Sequence, residues 1–186
     1  SGKWLVLFCH PSDSTPICTT EIMSFSKLND EFKKRNCELL GLSVDSNPSH
    51  LAWIKNIEDN TGIQVPFPII SDLNKEVSML ASSMDDTQTV RNVYIIDPEQ
   101  KIRCIIIYPM SNGRNTTEVL RMLDALQITD KENVLTPANW IPGNDTIMPS
   151  PQNYNNLMDK MKTNNPNNCI DWYLCFNKEN NNMRRW

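Results

Sequence analysis

Short apolar runs alternate with amphipathic segments along most of this chain of 186 residues. The apolar runs have the length and composition of buried strands, and they lie at residues 5–8, 39–44, 93–96 and 102–107. Apolar residues at helical spacing predict helices at residues 21–34, 49–57, 75–79 and 117–126. Pro98, Glu99 and Gln100 predict a hairpin turn that makes the last two strands antiparallel. The pattern predicts an α/β fold with a mixed central sheet flanked by helices.

The character of the chain changes after Trp140, where a proline-punctuated, asparagine-rich stretch begins. It is too polar to bury much surface by itself, and we interpret residues 141–186 as a C-terminal arm. Within the arm, apolar spacing predicts a helix at residues 154–161, and residues 172–174 are compatible with a short strand. The run Asn180 to Asn182 is expected to be a solvated loop.

The charge balance argues against two classes of partner. Lysine and arginine total 18 against 22 acidic residues, a formal net charge of −4, so no strong field attracts nucleic acid or an anionic membrane. No apolar run reaches the ~20 residues that a membrane span requires. We therefore expect neither a membrane nor a nucleic-acid partner.

Six cysteines are present, but their positions do not predict a disulfide framework. Cys9, Cys37 and Cys104 border or occupy apolar runs, where buried thiols are common. This distribution favours a reducing intracellular compartment, with the cytoplasm expected first and the nucleus left open.

Cys18 lies where the first predicted strand gives way to the first predicted helix. Unpaired backbone N–H groups and the positive end of the helix dipole favour an anion there, so a reactive thiolate is predicted. The spacing of Pro11, Thr15 and Cys18 resembles the motif of the peroxiredoxin family. The resemblance implies that the proline shields the cysteine, the threonine hydroxyl binds the peroxide, and the thiolate attacks the O–O bond. The alternative is an ordinary buried cysteine at a helix start.

The resemblance covers most of the chain and points to the one-cysteine, peroxiredoxin 6 type. The matching segments are residues 32–36, 39–46, 50–53, 65–72, 91–98, 108–115 and 136–143. It implies a thioredoxin-like peroxidase domain at residues 1–140, without the N-terminal hairpin of the family, and a dimerisation arm at residues 141–186. A homodimer is expected on the same grounds.

The resemblance also implies roles for charged residues outside the motif. Arg91 matches the active-site arginine, Glu21 and Arg114 match a supporting pair, and His10 matches a histidine beside the active-site proline. The alternatives are a solvated arginine, a surface charge pair and a structural histidine. His10 and His50 have no carboxylate at a matching spacing, so neither a metal site nor a cofactor is expected.

The recycling step follows from an absent cysteine. Two-cysteine relatives carry a resolving cysteine where this chain has Val134 to Pro137, so an external thiol such as glutathione or a thioredoxin- or glutaredoxin-type protein is expected as reductant. Cys169 and Cys175 leave an internal resolver open.

The expected function is a thiol-dependent peroxidase that reduces hydrogen peroxide and organic hydroperoxides through a sulfenic acid at Cys18. The alternative is a redox-switched chaperone or peroxide-signalling protein that uses the same cysteine. A disulfide reductase is disfavoured because Thr15 stands where a Cys-x-x-Cys motif needs a cysteine. Some relatives have phospholipase activity, but Lys3 replaces the serine that precedes Trp4 in them.

Overall fold

A computed structural model describes residues 2–81, 84–85, 88–163 and 168–177. The chain divides into two compact units, and the boundary after Leu120 falls within a helix. Each unit is described by itself.

A five-stranded mixed sheet forms the centre of the first unit. Its strands are β1 (Trp4–Cys9), β2 (Cys37–Ser43), β3 (Ile69–Ser71), β6 (Arg91–Ile96) and β7 (Ile102–Tyr108). The order across the sheet is β3-β2-β1-β6-β7. The first three strands in the chain pair in parallel, whereas β6 runs antiparallel to β1 and to β7. The predicted α/β class and mixed sheet are confirmed.

Among the described residues, four helices accompany the sheet, and a proline and a serine mark where the first two of them begin. They are α1 (Pro16–Lys34), α2 (Asn47–Thr61), α3 (Glu76–Leu80) and α4 (Thr116–Glu132), of which α4 contains the boundary. Helix α1 begins earlier than the predicted residue 21, because Pro16 occupies its first turn, where a missing N–H costs nothing. Ser46 caps α2 by accepting a hydrogen bond from the Ser49 N–H at 3.3 Å.

The hairpin between β6 and β7 is confirmed, with Gln100 in the left-handed region at φ 67°. Strand β3 was not among the predicted strands, since a run of three residues shows no periodicity. Its close approach to β2 depends on a glycine, because a Cβ at Gly41 would lie 3.1 Å from Ile69 Cγ1. A further short pair is formed by β4 (Met84–Asp85) and β5 (Gln88–Thr89).

The second unit contains a three-stranded antiparallel sheet of β8 (Thr146–Ile147), β10 (Leu174–Asn177) and β9 (Cys169–Asp171), and the helix α5 (Tyr154–Thr163). The predicted arm helix is confirmed. The strand expected at residues 172–174 is wrong in register, because Trp172 and Tyr173 form the turn between β9 and β10. Cys169 and Cys175 are joined by a disulfide across this hairpin, a pairing that sequence analysis did not predict. Asn180 to Asn182 lie outside the described residues.

Within the described part of the chain, the helices are too short or too polar to cross a lipid bilayer.

Candidate active site

Cys18 is the third residue of α1, and its side chain is completely buried. The preceding strand β1 ends at Cys9, next to the start of the antiparallel strand β6. This topology brings the first turn of α1, the last residue of β1 and the first residue of β6 to the same end of the central strands. The predicted strand-to-helix junction is confirmed.

Arg91, the first residue of β6, lies at this end of the sheet with its guanidinium beside the Cys18 thiol. Its Nη1 donates to Cys18 Sγ at 3.5 Å, and its Nε donates to the Met110 carbonyl at 2.9 Å. The residue is buried, 4 % exposed, so the alternative of a solvated arginine is wrong. The geometry allows the cation to stabilise negative charge on the sulfur.

Glu21 joins Arg91 to Arg114 in a buried ion-pair network. One carboxylate oxygen accepts from Arg91 Nη1 at 2.8 Å and from Arg114 Nη2 at 2.7 Å. The other accepts from Arg114 Nε at 3.0 Å and from the Arg114 backbone N–H at 2.8 Å. Glu21 and Arg114 are both buried, so the alternative of a surface charge pair is also wrong. We call Glu21, Arg91 and Arg114 the arginine–glutamate network.

Arg114 also fixes the surrounding backbone. Its Nη1 donates to the Cys9 carbonyl at 2.7 Å and to the Asn92 carbonyl at 3.2 Å, at the ends of β1 and β6. Its guanidinium also makes a cation–π contact with the buried Phe8 ring, 5.4 Å from the ring centroid. The network is therefore tied to both strands that frame Cys18.

Pro11 and Thr15 lie on the loop between β1 and α1. Pro11 is buried, and Thr15 is the N-cap residue of α1. The Thr15 hydroxyl donates to the Ser12 carbonyl at 2.8 Å. Because a hydroxyl has one proton, Thr15 Oγ1 can then act toward a ligand as an acceptor.

Two histidines and an aspartate form a buried cluster beside this loop. Asp13 Oδ1 is 2.9 Å from His10 Nε2, and Asp13 Oδ2 is 2.7 Å from His50 Nδ1. Ser49 Oγ also donates to Asp13 Oδ2 at 2.7 Å. We call His10, Asp13 and His50 the His–Asp–His cluster. The expectation that the histidines lack a carboxylate is wrong, because Asp13 lies between them.

Comparisons with known proteins identify the family of this chain. The model of the AhpC/TSA family matches residues 1–105, more than half of the chain, and that of the C-terminal domain of 1-Cys peroxiredoxin matches residues 125–164. The chain belongs to the peroxiredoxin family. It is of the one-cysteine, peroxiredoxin 6 type.

Curated and solved peroxiredoxins are similar over nearly the whole chain. Peroxiredoxin 2 of Caldanaerobacter subterraneus is 49 % identical, over 95 % of this chain and 82 % of its own length. A peroxiredoxin of Aquifex aeolicus is 46 % identical, over 95 % and 85 %. The solved yeast mitochondrial 1-Cys peroxiredoxin superposes with a TM-score of 0.82 at 44 % identity, over 95 % of this chain and 86 % of its own. The protein is accordingly a thiol peroxidase with a thioredoxin-like fold.

Electrostatics separates the two histidines of this peroxiredoxin. Burial lowers the pKa of His10, against the opposing effect of Asp13, and the positive charge of Arg114 lowers it further. Burial also acts to lower the pKa of His50, but the Asp13 carboxylate, the Ile70 carbonyl and Asp45 outweigh it and raise that pKa above 6.5. His50 therefore holds a proton more readily than His10.

The cluster has the donor types of a metal site, and its ligand atoms lie within 4.8 Å of one another. Each ligating histidine of a metal site ordinarily donates its second ring N–H to an acceptor. His10 Nδ1 is buried with no hydrogen-bond partner among the described residues. Protonating that nitrogen would bury an unsatisfied donor, so the cluster fits a hydrogen-bonded network better than a metal centre.

The Cys37 thiol lies in a different environment from that of Cys18. Burial raises the pKa of the Cys37 thiol to about 12, so it is a poor nucleophile at neutral pH.

Beside Thr15, a groove of about 420 Å³ opens between α1 and α2, lined in part by Thr19, Met23 and Trp53.

Proposed function

We propose that Cys18 is the nucleophile of the peroxidase reaction. Its thiolate attacks one oxygen of the peroxide, an S–O bond forms, and the O–O bond breaks. The sulfur is oxidised to sulfenic acid, and the departing oxygen takes a proton and leaves as water or an alcohol. The observation that carries the proposal is the Arg91 guanidinium at 3.5 Å from Cys18 Sγ.

Arg91, Thr15 and Pro11 complete the catalytic set. Arg91 supplies fixed positive charge in a buried site, where such charge stabilises both the thiolate and the departing oxygen most effectively. Thr15 Oγ1, whose proton is held by the Ser12 carbonyl, accepts the peroxide O–H. Pro11 has no N–H and forms part of the buried wall that limits access by water.

Glu21, Arg114 and His10 have supporting roles in the proposal. Glu21 holds Arg91 Nη1, the Met110 carbonyl holds Arg91 Nε, and Arg114 holds the Glu21 carboxylate in turn. His10 follows β1 directly and lies against the Trp53 ring, with centroids 5.2 Å apart.

The substrates that we propose are hydrogen peroxide and organic hydroperoxides. Hydrogen peroxide is small enough to reach a buried sulfur, and the groove beside Thr15 has room for an organic substituent. Its lining mixes Thr19 and Asn60 with Met23 and Trp53, which suits a substituent with both polar and apolar parts.

We propose an external thiol, glutathione or a thioredoxin- or glutaredoxin-type protein, as the reductant. Two observations bear on this step: the described residues near Val134 include no cysteine at the usual resolving position, and the solved yeast relative is described as resolved through glutathione/thioredoxin systems. The Cys169–Cys175 disulfide gives the internal alternative a specific basis, since these residues form a pair that can cycle between dithiol and disulfide.

We also propose a homodimer in a reducing intracellular compartment such as the cytoplasm. Strand β7 lies at the edge of the sheet and exposes Ile102, Ile105 and Ile107, by 56 %, 51 % and 68 %. An apolar edge strand of this kind is suited to pairing with a second copy, in addition to contacts made by the arm. Four free cysteines among the described residues support a reducing compartment, whereas the Cys169–Cys175 disulfide counts against it.

The test compares two cysteine substitutions. Cys18→Ser is expected to abolish peroxide consumption, because a serine hydroxyl supplies almost no anion at neutral pH. Cys37→Ser is the matched control and is expected to keep the parent rate. Full activity in Cys18→Ser would refute the proposal, and a protein that forms sulfenic acid without turnover would favour the chaperone or signalling alternative.

A further inference from the structure

The His–Asp–His cluster anchors the loop that carries the proposed peroxide-binding residues. Asp13 is in the middle of the loop at residues 10–15, whereas His50 belongs to the first turn of α2. The Asp13 carboxylate bonds His10 at one end of the loop and His50 across it. The Asp13 backbone N–H also donates to Asp45 Oδ2 at 3.0 Å, so the main chain of the loop is held as well.

Charge balance determines how the cluster is protonated. Asp13 has one negative charge, and the three side chains are buried, with Asp13 7 % exposed. One proton added to the neutral imidazole of His50 makes the net charge of the cluster zero. A further proton added to His10 would place uncompensated positive charge near Arg114. His50 is thus the histidine of the cluster that takes up a proton first as pH falls, and its Nδ1–H then donates to Asp13 Oδ2.

We propose that Asp13 and His50 are positioning residues for the peroxidase reaction, a buried carboxylate–imidazole pair that holds the loop bearing Thr15 and His10 in its peroxide-binding geometry. The proposal rests on the roles given above to Cys18 and Thr15. It assigns function to two residues that the motif of Pro11, Thr15 and Cys18 does not include.

Two reactions of Cys18, with hydrogen peroxide and with iodoacetamide, distinguish loop positioning from a purely structural role for Asp13 and His50. Iodoacetamide reports the reactivity of the Cys18 thiolate without using the hydrogen bond between Thr15 and a peroxide. Loss of loop positioning should therefore lower the rate constant with hydrogen peroxide and leave the alkylation rate unchanged or raised. General damage to the site should lower both rates together.

Two substitutions separate charge from hydrogen bonding at His50. In His50→Asn the amide nitrogen replaces imidazole Nδ1, which keeps a donor toward Asp13 but removes the charge; His50→Leu removes both. We expect His50→Leu to lower the peroxide rate constant by about ten-fold or more, with no fall in alkylation, and His50→Asn to lie between it and the parent.

The pH profile adds a readout that packing alone would not change. In the parent, the ratio of peroxide rate to alkylation rate should fall as pH rises through the folded-state pKa of His50, which Asp13 and Asp45 raise above 6.5. This fall should be absent in His50→Asn. Ser49→Ala, which removes an uncharged donor from the same carboxylate oxygen, should keep the parent profile.

The inference is overturned if His50→Leu leaves the ratio at the parent value, or if both rates fall by the same factor. If His50→Leu does not fold, His50→Asn decides the matter by its pH profile, and a profile equal to the parent's overturns the inference. Cys18→Ser is measured alongside, because activity in that variant would refute the proposed nucleophile rather than the anchoring pair.

Discussion

Replacing Arg91 with methionine removes the cation nearest Cys18 while keeping much of the volume of the side-chain stem. Unit charges 3.5 Å apart, the Nη1–Sγ distance, attract by roughly 5 kcal/mol at an effective dielectric constant of about 20. Only the part of this attraction that is stronger in the transition state than in the ground state affects the rate constant. We therefore expect a loss of about 1.4 to 3 kcal/mol, a fall of roughly ten- to 150-fold in the rate constant with peroxide.

The assay is stopped-flow oxidation of the reduced protein by hydrogen peroxide, followed by tryptophan fluorescence. Arg103→Met is the matched control, since Arg103 makes the same kind of ion pair, 3.3 Å from Asp97, away from Cys18. Arg91→Lys should be intermediate, because a lysine keeps the charge but cannot bond Cys18, Glu21 and the Met110 carbonyl together.

The fold should survive this substitution, because Glu21 keeps Arg114 as its buried partner, one negative charge with one positive. Circular dichroism and the urea midpoint of Arg91→Met check this point. A rate constant for Arg91→Met within about two-fold of the parent, in a folded protein, would show that this arginine does not activate Cys18.

Three further predictions concern stability and recycling. Glu21→Gln strands two buried arginines and should lower the free energy of unfolding by about 3 to 5 kcal/mol in urea titrations; a loss under about 1 kcal/mol would contradict the network. His50 has its pKa raised on folding, so its contribution to stability is fully present below pH 6.5 and is lost as pH rises through the folded-state pKa. The difference in unfolding free energy between parent and His50→Asn should accordingly shrink toward alkaline pH, and a difference that grows would reverse the assignment. The double variant Cys169→Ser, Cys175→Ser should turn over normally with an external thiol, and a stall after one turnover would place the resolving cysteine in the arm.

The sequence predicted those parts of the fold and site that depend on local patterns. Strands β1, β2, β6 and β7 follow from apolar runs, and the position of Cys18 follows from a strand ending just before a helix begins. The burial of Arg91 and Glu21 could not be predicted from periodicity, because it depends on where an antiparallel strand meets the first turn of α1.

The missed features share a physical origin. Asp13 and His50 are 37 residues apart and meet because α2 starts beside the loop after β1. Nothing local in the sequence marks the contact between Asp13 and His50. An aspartate three residues after His10 was a weak signal for the other contact, between His10 and Asp13. Cys169 and Cys175 were missed as a pair because the register of a short hairpin depends on its turn, and that turn was predicted as strand.

The shared carboxylate of Glu21 restricts how this protein can change over time. A substitution at Glu21 leaves two cations buried without a counterion, and a substitution at Arg114 removes the partner that holds both carboxylate oxygens of Glu21. Single substitutions at Glu21 or Arg114 therefore pass through destabilised intermediates, whereas most surface positions can change with little effect on stability. Glu21 and Arg114 should therefore change together in evolution, and a laboratory library that varies these two positions independently should yield few folded members.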